Sequence, residues 1–288
     1  MIRRPAVAGM FYDQDPDDLR ETLDVCFLGP YGPGRLPTPA PIVTRNMVGL
    51  VCPHAGYRFS GYAAAHAYAE LADDGLPDTA VLIGPNHRAL GVGAAIVTNG
   101  KWLTPLGEVE IDSEVAAAIL DASDLVREDE IAHAAEHSLE VQIPFLQYMN
   151  ARTKIVPIVI SILAWEDARL YAEELGRVVA KALEGRNAVI IASTDLTHYE
   201  TKAEAHRKDG EAIAAIQSLD YAGLLEVVER MDISMCGVTP VAISLAAEAA
   251  LGAKRAELLS YYTSGDIIGD MSQVVGYAAL KIVRAEVD

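Results

Sequence analysis

The chain has 288 residues, 51% hydrophobic and 22% charged, a balance that excludes a disordered polypeptide and supplies enough apolar surface for a large core. A formal net charge of −18 opposes binding to a nucleic-acid backbone, and neither a basic run nor an RNA-binding aromatic signature offsets it. Three widely spaced cysteines, Cys26, Cys52 and Cys236, make no disulfide framework and suit a reducing, cytoplasmic setting.

In chain order, Arg3-Arg4 is followed by no apolar stretch fit for a signal peptide, and no apolar run reaches membrane-spanning length. A helix is expected over Asp17–Phe27, capped by Asp15 or Asp17 with Pro16 in its first turn. The glycines and prolines from Gly29 to Pro41 read as a surface loop, because too little chain precedes them for an independent domain. Strands are then expected at Val48–Cys52, Ala80–Ile83, Ala94–Thr98, Ile155–Ile160, Ala188–Ala192, Glu257–Tyr262 and Val274–Ile282. Helices are expected at Gly61–Leu71, Asp112–Leu120, Ala164–Leu183, Ala203–Ser218, Tyr221–Arg230 and Thr239–Leu251. The alternation predicts an α/β protein, a single layered domain over residues 1–288 with a central mixed sheet flanked by helices.

Sites in such sheets form beyond the carboxyl ends of strands. Three polar segments follow strand ends here: Pro53-His54-Ala55-Gly56, Gly84-Pro85-Asn86-His87 and Ser193-Thr194-Asp195-Leu196-Thr197-His198. The first two set an imidazole on a turn rich in glycine and proline, which is how a metal ligand is held ready. The plainer reading of either histidine is a turn residue; the repetition of the context favours metal. Cys236 precedes the helix at Thr239, and a helix N-terminus favours the metal-binding thiolate. Asp195 and His198 share one tight loop, where the imidazole is a candidate general base.

A competing motif is His133-Ala134-Ala135-Glu136-His137, the H-x-x-E-H pattern of inverted zinc proteases. On a helix, His133 and His137 would share a face, but the pattern is short and has no assigned third ligand. The alternatives are a helix start with Ile131, Leu139 and Ile143 facing the core, or Glu136 and His137 placed around the cleft. No phosphate-binding loop or nucleophile elbow is present.

Several ordered blocks together resemble the Memo family: Arg4-Pro5-Ala6-Val7-Ala8-Gly9-Met10-Phe11-Tyr12, Pro53-His54-Ala55-Gly56-Tyr57-Arg58-Phe59-Ser60-Gly61, Gly84-Pro85-Asn86-His87 and Thr104-Pro105-Leu106-Gly107. Glu136-His137-Ser138-Leu139-Glu140, Ser193 to Tyr199, Cys236-Gly237, Tyr262-Thr263-Ser264-Gly265-Asp266 and Val275-Gly276-Tyr277-Ala278 continue it to about residue 280. The resemblance implies a fold related to class III extradiol dioxygenases. It implies His54, His87 and Cys236 as metal ligands, with the cysteine in place of the carboxylate of the dioxygenases, and Asp195 and His198 as an acid–base pair. It further implies Fe(II) or copper redox chemistry on an aromatic or other small oxidisable substrate, AMMECR1-like and radical-SAM functional partners, and in animal members a phosphopeptide-binding adaptor role. For the adaptor role, Arg58 is the candidate anion-binding residue. Thiolate ligation by itself suits Cu or Zn.

Overall fold

The computed structural model describes residues 2–284. Its strands are β1 (Ile2–Arg3), β2 (Met47–Cys52), β3 (Thr79–Pro85), β4 (Ala94–Ile96), β5 (Lys101–Thr104), β6 (Gly107–Glu110), β7 (Arg127–Glu128), β8 (Lys154–Ile160), β9 (Ala188–Ser193), β10 (His198–Glu200), β11 (Arg255–Thr263) and β12 (Val274–Val283). Its helices are α1 (Pro16–Leu28), α2 (Tyr57–Asp74), α3 (Ser113–Asp121), α4 (Ile131–Ala134), α5 (Ile143–Met149), α6 (Trp165–Leu183), α7 (Lys202–Gln217), α8 (Tyr221–Met231), α9 (Val238–Ala250) and α10 (Ser264–Ile268).

The sheet centre consists of β2, β9, β3 and β8, side by side in that order and parallel. Helices cover both faces, so these strands read as continuous apolar runs rather than alternating ones; every residue of β2, β3 and β9 is buried. α2 packs over β2, β11 and β12 with α1 against it, while α9 crosses β9, β3 and β2, supported by α6 and α8. Antiparallel strands complete both margins: β12 beside β2, and β4 beside β8. The result is the mixed, helix-flanked α/β sheet that the alternation predicts. The chain runs from β2 to β3 and later inserts β9 between them. The carboxyl ends of three neighbouring strands therefore carry His54, the Ser193–His198 loop and His87.

The element limits differ in physically interpretable ways. α1 is capped by the Asp15 carboxylate and α3 by Asp112. α2 begins at Tyr57, before the expected Gly61, and Gly61 lies in its interior because a Cβ there would come within 2.5 Å of Cys26 Sγ. The β5–β6 hairpin, which pairs with β1 in a separate three-stranded sheet, falls where no strand is expected. α4 ends at Ala134, so His133 and His137 do not share a helical face.

A candidate metal centre

His54 lies just past β2 and is buried. Its backbone N–H donates to Asp195 Oδ1 at 2.8 Å, which fastens this loop to the one leaving β9. Its ring Nδ1 is 2.9 Å from Ser193 Oγ. The direction of that bond follows from the neighbours. Ser193 Oγ donates its single hydrogen to the Ser138 carbonyl at 2.7 Å and accepts from the Gln142 amide at 3.0 Å. Towards His54 it can only accept, so Nδ1 carries the proton and Nε2 keeps its lone pair. That lone pair faces Cys236 Sγ at 3.2 Å.

His87 is set by the same logic through a different partner. Glu136 Oε1 is 2.9 Å from its Nδ1, and Glu136 Oε2 accepts its backbone N–H at 2.6 Å. Burial would raise the Glu136 carboxyl, but the His87 ring and the Ser138 N–H outweigh it and hold the group down to about 2. An ionised carboxylate only accepts, so His87 also presents an Nε2 lone pair. The His137 ring stacks on His87 with centroids 4.6 Å apart, stands edge-on to His54 at 5.5 Å and packs against Phe11 at 4.7 Å. Burial pulls the His137 imidazole down to about 4, despite the Glu136 carboxylate beside it. Glu136, His87 and His137 lie close enough to be a metal triad themselves. Glu136 is already committed to three backbone N–H groups and the His87 ring, which makes it the support of the site rather than a donor.

Cys236 arrives from the opposite layer, immediately before α9. Gly237 lets the helix start abut β9, since a Cβ there would lie 2.5 Å from the Ser193 carbonyl oxygen. Sγ accepts the Asp195 N–H at 3.3 Å. The helix start alone would lower the Cys236 thiol, and its surroundings reverse that. Burial, with the Asp195 carboxylate, pushes the thiol up, so Cys236 is protonated without a cation and a bound cation would displace that proton. The ligand atoms of His54, His87 and Cys236 all lie within 4.8 Å of one another.

A cleft of about 470 Å³ opens on these donors, with Phe11, His137, Asp195, His198, Tyr199 and Tyr277 among its walls. Asp195 and His198 both line it but do not orient one another through a hydrogen bond. His198 Nδ1 is 2.8 Å from the Ser234 carbonyl, which fixes its proton there and frees Nε2. Asp195 instead braces the His54 loop, and burial raises its carboxyl. His133 is fully buried beside Trp102, its Nε2 on the Ala95 carbonyl, and has no part in the cleft. Arg58 is exposed in a neighbouring groove of about 650 Å³ shared with Asp13, Asp18 and Glu21, where an anionic ligand would meet three carboxylates.

Ser193 stands out in the sequence only as the start of its loop and Gln142 not at all, because their roles exist only in the folded contact. Nor does the sequence disclose the device that holds Phe11 in the wall. Glu140, fully buried, pairs with Arg3 at 2.7 Å and accepts the N–H groups of Ala6 and Val7 and the Tyr12 hydroxyl.

The donor set fits a soft or borderline cation: two imidazole nitrogens with fixed tautomers and one sulfur, with room left for exogenous ligands. Fold and site thus define an α/β protein that gathers a His/His/Cys donor set at the carboxyl ends of its parallel strands. The sequence profile of the Memo-like protein family matches residues 3–281, and the chain belongs to that family. A MEMO1 family protein of Methanopyrus kandleri is 49% identical, covering 99% of this chain and 100% of its own. One of Methanothermobacter thermautotrophicus is 47% identical, covering 97% and 100%. Among solved structures, an uncharacterized protein from Escherichia coli K12 shares the fold at a TM-score of 0.56 and 16% identity, covering 82% of this chain and 99% of that one. No helix among the described residues is long and apolar enough to cross a membrane.

Proposed function

We propose that the protein is a mononuclear metal-dependent oxidoreductase of the cytoplasm, holding its ion with His54, His87 and Cys236. The observation that carries this reading is the pair of tautomers. Two independent hydrogen-bond systems, through Ser193 and through Glu136, each place the Nδ1 proton away from the cleft and leave an Nε2 lone pair for it. A buried turn histidine also needs its Nδ1 bonded, but not the convergence of its free nitrogen with a second imidazole and a sulfur. A bound redox-active ion would supply one-electron exchange with O₂ and a substrate at its open positions. Fe(II) is the ion favoured by the family resemblance; Cu or Zn suits the sulfur donor.

The chain's own groups then divide the work. His198 Nε2 accepts a proton from the substrate, its ring anchored on the Ser234 carbonyl. Asp195 is the partner of His198 in the acid–base pair of the resemblance and braces the His54 loop. Phe11, Val275 and Tyr277 keep water from the reacting atoms. Free thiols at Cys26, Cys52 and Cys236 accord with a reducing compartment. The test is metal content by mass spectrometry of anaerobically purified protein, beside Cys236→Ala and His54→Ala. Stoichiometric iron or copper, lost in both variants, is the expected result. A wild-type protein that takes up no transition metal at equilibrium would reject the reading.

A further inference from the structure

Tyr199 is the one bulky residue of the cleft wall in a left-handed backbone conformation, at φ +61°. It is the extra residue of a bulge: His198 pairs with Val275 and Glu200 with Val274 in the β10–β12 ladder, and Tyr199 stands between them. Glycine is the ordinary occupant of such a position, because a large side chain there strains the backbone. Every neighbour is pinned. Leu196 N–H and Thr197 C=O bond to Gly276, Thr197 N–H to the buried Asp209 carboxylate, His198 N–H to Ser234 Oγ, and Glu200 pairs with Lys208. What this over-determined bulge presents is an aromatic ring that is 73% exposed. The phenol makes no hydrogen bond among the described residues, and the closest ring, His198, is 5.8 Å away by centroid. Neither burial nor hydrogen bonding in the folded protein repays the strain, and strain of this kind concentrates where a ligand does.

We propose that Tyr199 is a specificity-determining residue, its ring held at the cleft mouth to stack on a flat ligand seated at the His54, His87 and Cys236 donors. The inference rests on the metal-site reading above. Phe11, packed on His137, and Tyr277 supply further aromatic walls to the same cleft. A stacked ring contact discriminates by shape without needing a hydrogen bond.

The experiment uses the cobalt(II)-loaded full chain, with salicylate as the flat, oxygen-donor probe and the thiolate-to-cobalt absorption band as the record of site occupancy. Wild type and Tyr199→Gly should show the same band, while Tyr199→Gly binds salicylate about 5–10-fold more weakly. Tyr199→Phe should stay within about two-fold of wild type, since it keeps the ring. In the metal-free protein, Tyr199→Gly should melt about 1–3 °C higher, through relief of strain. With the band present, three results overturn the inference alone: unchanged salicylate affinity in Tyr199→Gly, a loss in Tyr199→Phe as large as in Tyr199→Gly, or no salicylate binding by the wild type. A melting temperature several degrees lower in Tyr199→Gly would make the ring structural and overturn it too. Absence of the band in the wild type overturns the metal-site reading, and this inference with it.

Discussion

Glu136 grips His87 twice, through the ring at 2.9 Å and through the backbone N–H at 2.6 Å, so one carboxylate sets the position and the tautomer of that histidine. Glu136→Gln keeps the shape but turns one acceptor into a donor that faces N–H groups. Metal affinity, measured by competition with a chromogenic chelator, should fall about 10–100-fold. An affinity equal to wild type would show that His87 needs no such support.

Ser193 plays the corresponding part for His54. Its replacement by Ala takes one of two acceptors from the Gln142 amide, which keeps the Pro53 carbonyl, strands the Ser138 carbonyl and leaves Nδ1 without a defined acceptor. The cost in stability should be about 1–3 kcal/mol. Nitrogen-15 spectra of the metal-free protein give the sharper reading. The wild type should show His54 protonated at Nδ1 alone, and Ser193→Ala should show a mixture of tautomers.

The Arg3–Glu140 pair is buried on both sides, at 1% and 0% side-chain exposure. Arg3→Ala leaves a buried carboxylate without its counter-charge and should destabilise the protein by about 3–5 kcal/mol in urea unfolding. Because the same network holds residues 3–12, the variant should also lose the Phe11 wall, seen as a weaker His137–Phe11 contact in its ring-current shifts.

Glu248, on α9, gives a pH dependence whose sign can be worked out. Its carboxyl lies against Gly49 of β2, where a Cβ would collide with it, and takes one hydrogen bond, from Ser244. Burial pushes its pKa up to about 8. Between its ordinary value and about 8 the folded protein therefore binds a proton that the unfolded chain has released. Stability from this group is complete below the ordinary carboxyl range, falls as pH rises to about 8, and is level above it. The fall amounts to roughly 5 kcal/mol at about 1.4 kcal/mol per unit. Glu248→Met should remove that slope, so the stability of the wild type relative to the variant should fall from pH 5 to 8.5. A difference constant with pH would place the proton elsewhere.

What the sequence discloses, and what it hides, follows from the range of each interaction. β2, β3, β8 and β9 are legible because burial on two faces leaves an unbroken apolar run. The cap of α1 is legible as Asp15 or Asp17 because a cap acts within three residues, and the fold selects Asp15. The β5–β6 hairpin is not legible, since Lys101 and Leu103 stay part-exposed and its stabilising neighbour is β1, the first element of the chain, which pairs Ile2 with Lys101. His54 and His87 stand out by their place after strands, and Cys236 by the family pattern. Ser193 is marked only by its place after β9, and Gln142 by nothing local, since their significance lies in a contact spanning fifty-one positions. The thiol of Cys236 shows the same limit from the other side. A helix start can be read locally, but the burial and the Asp195 charge that overrule it cannot.

β12 flanks β2, the strand that delivers His54, and is among the last of the described elements in the chain. A ribosome that has released His54 and His87 has therefore not yet made the site. The third donor follows much later, and the strand that seals the margin of β2 later still. If these donors hold an ion as proposed, the nascent chain offers it an incomplete set, so loading would follow completion of the fold. In that case the supply of ion and the completion of the fold would be successive events, and metal shortage is expected to leave folded, empty protein.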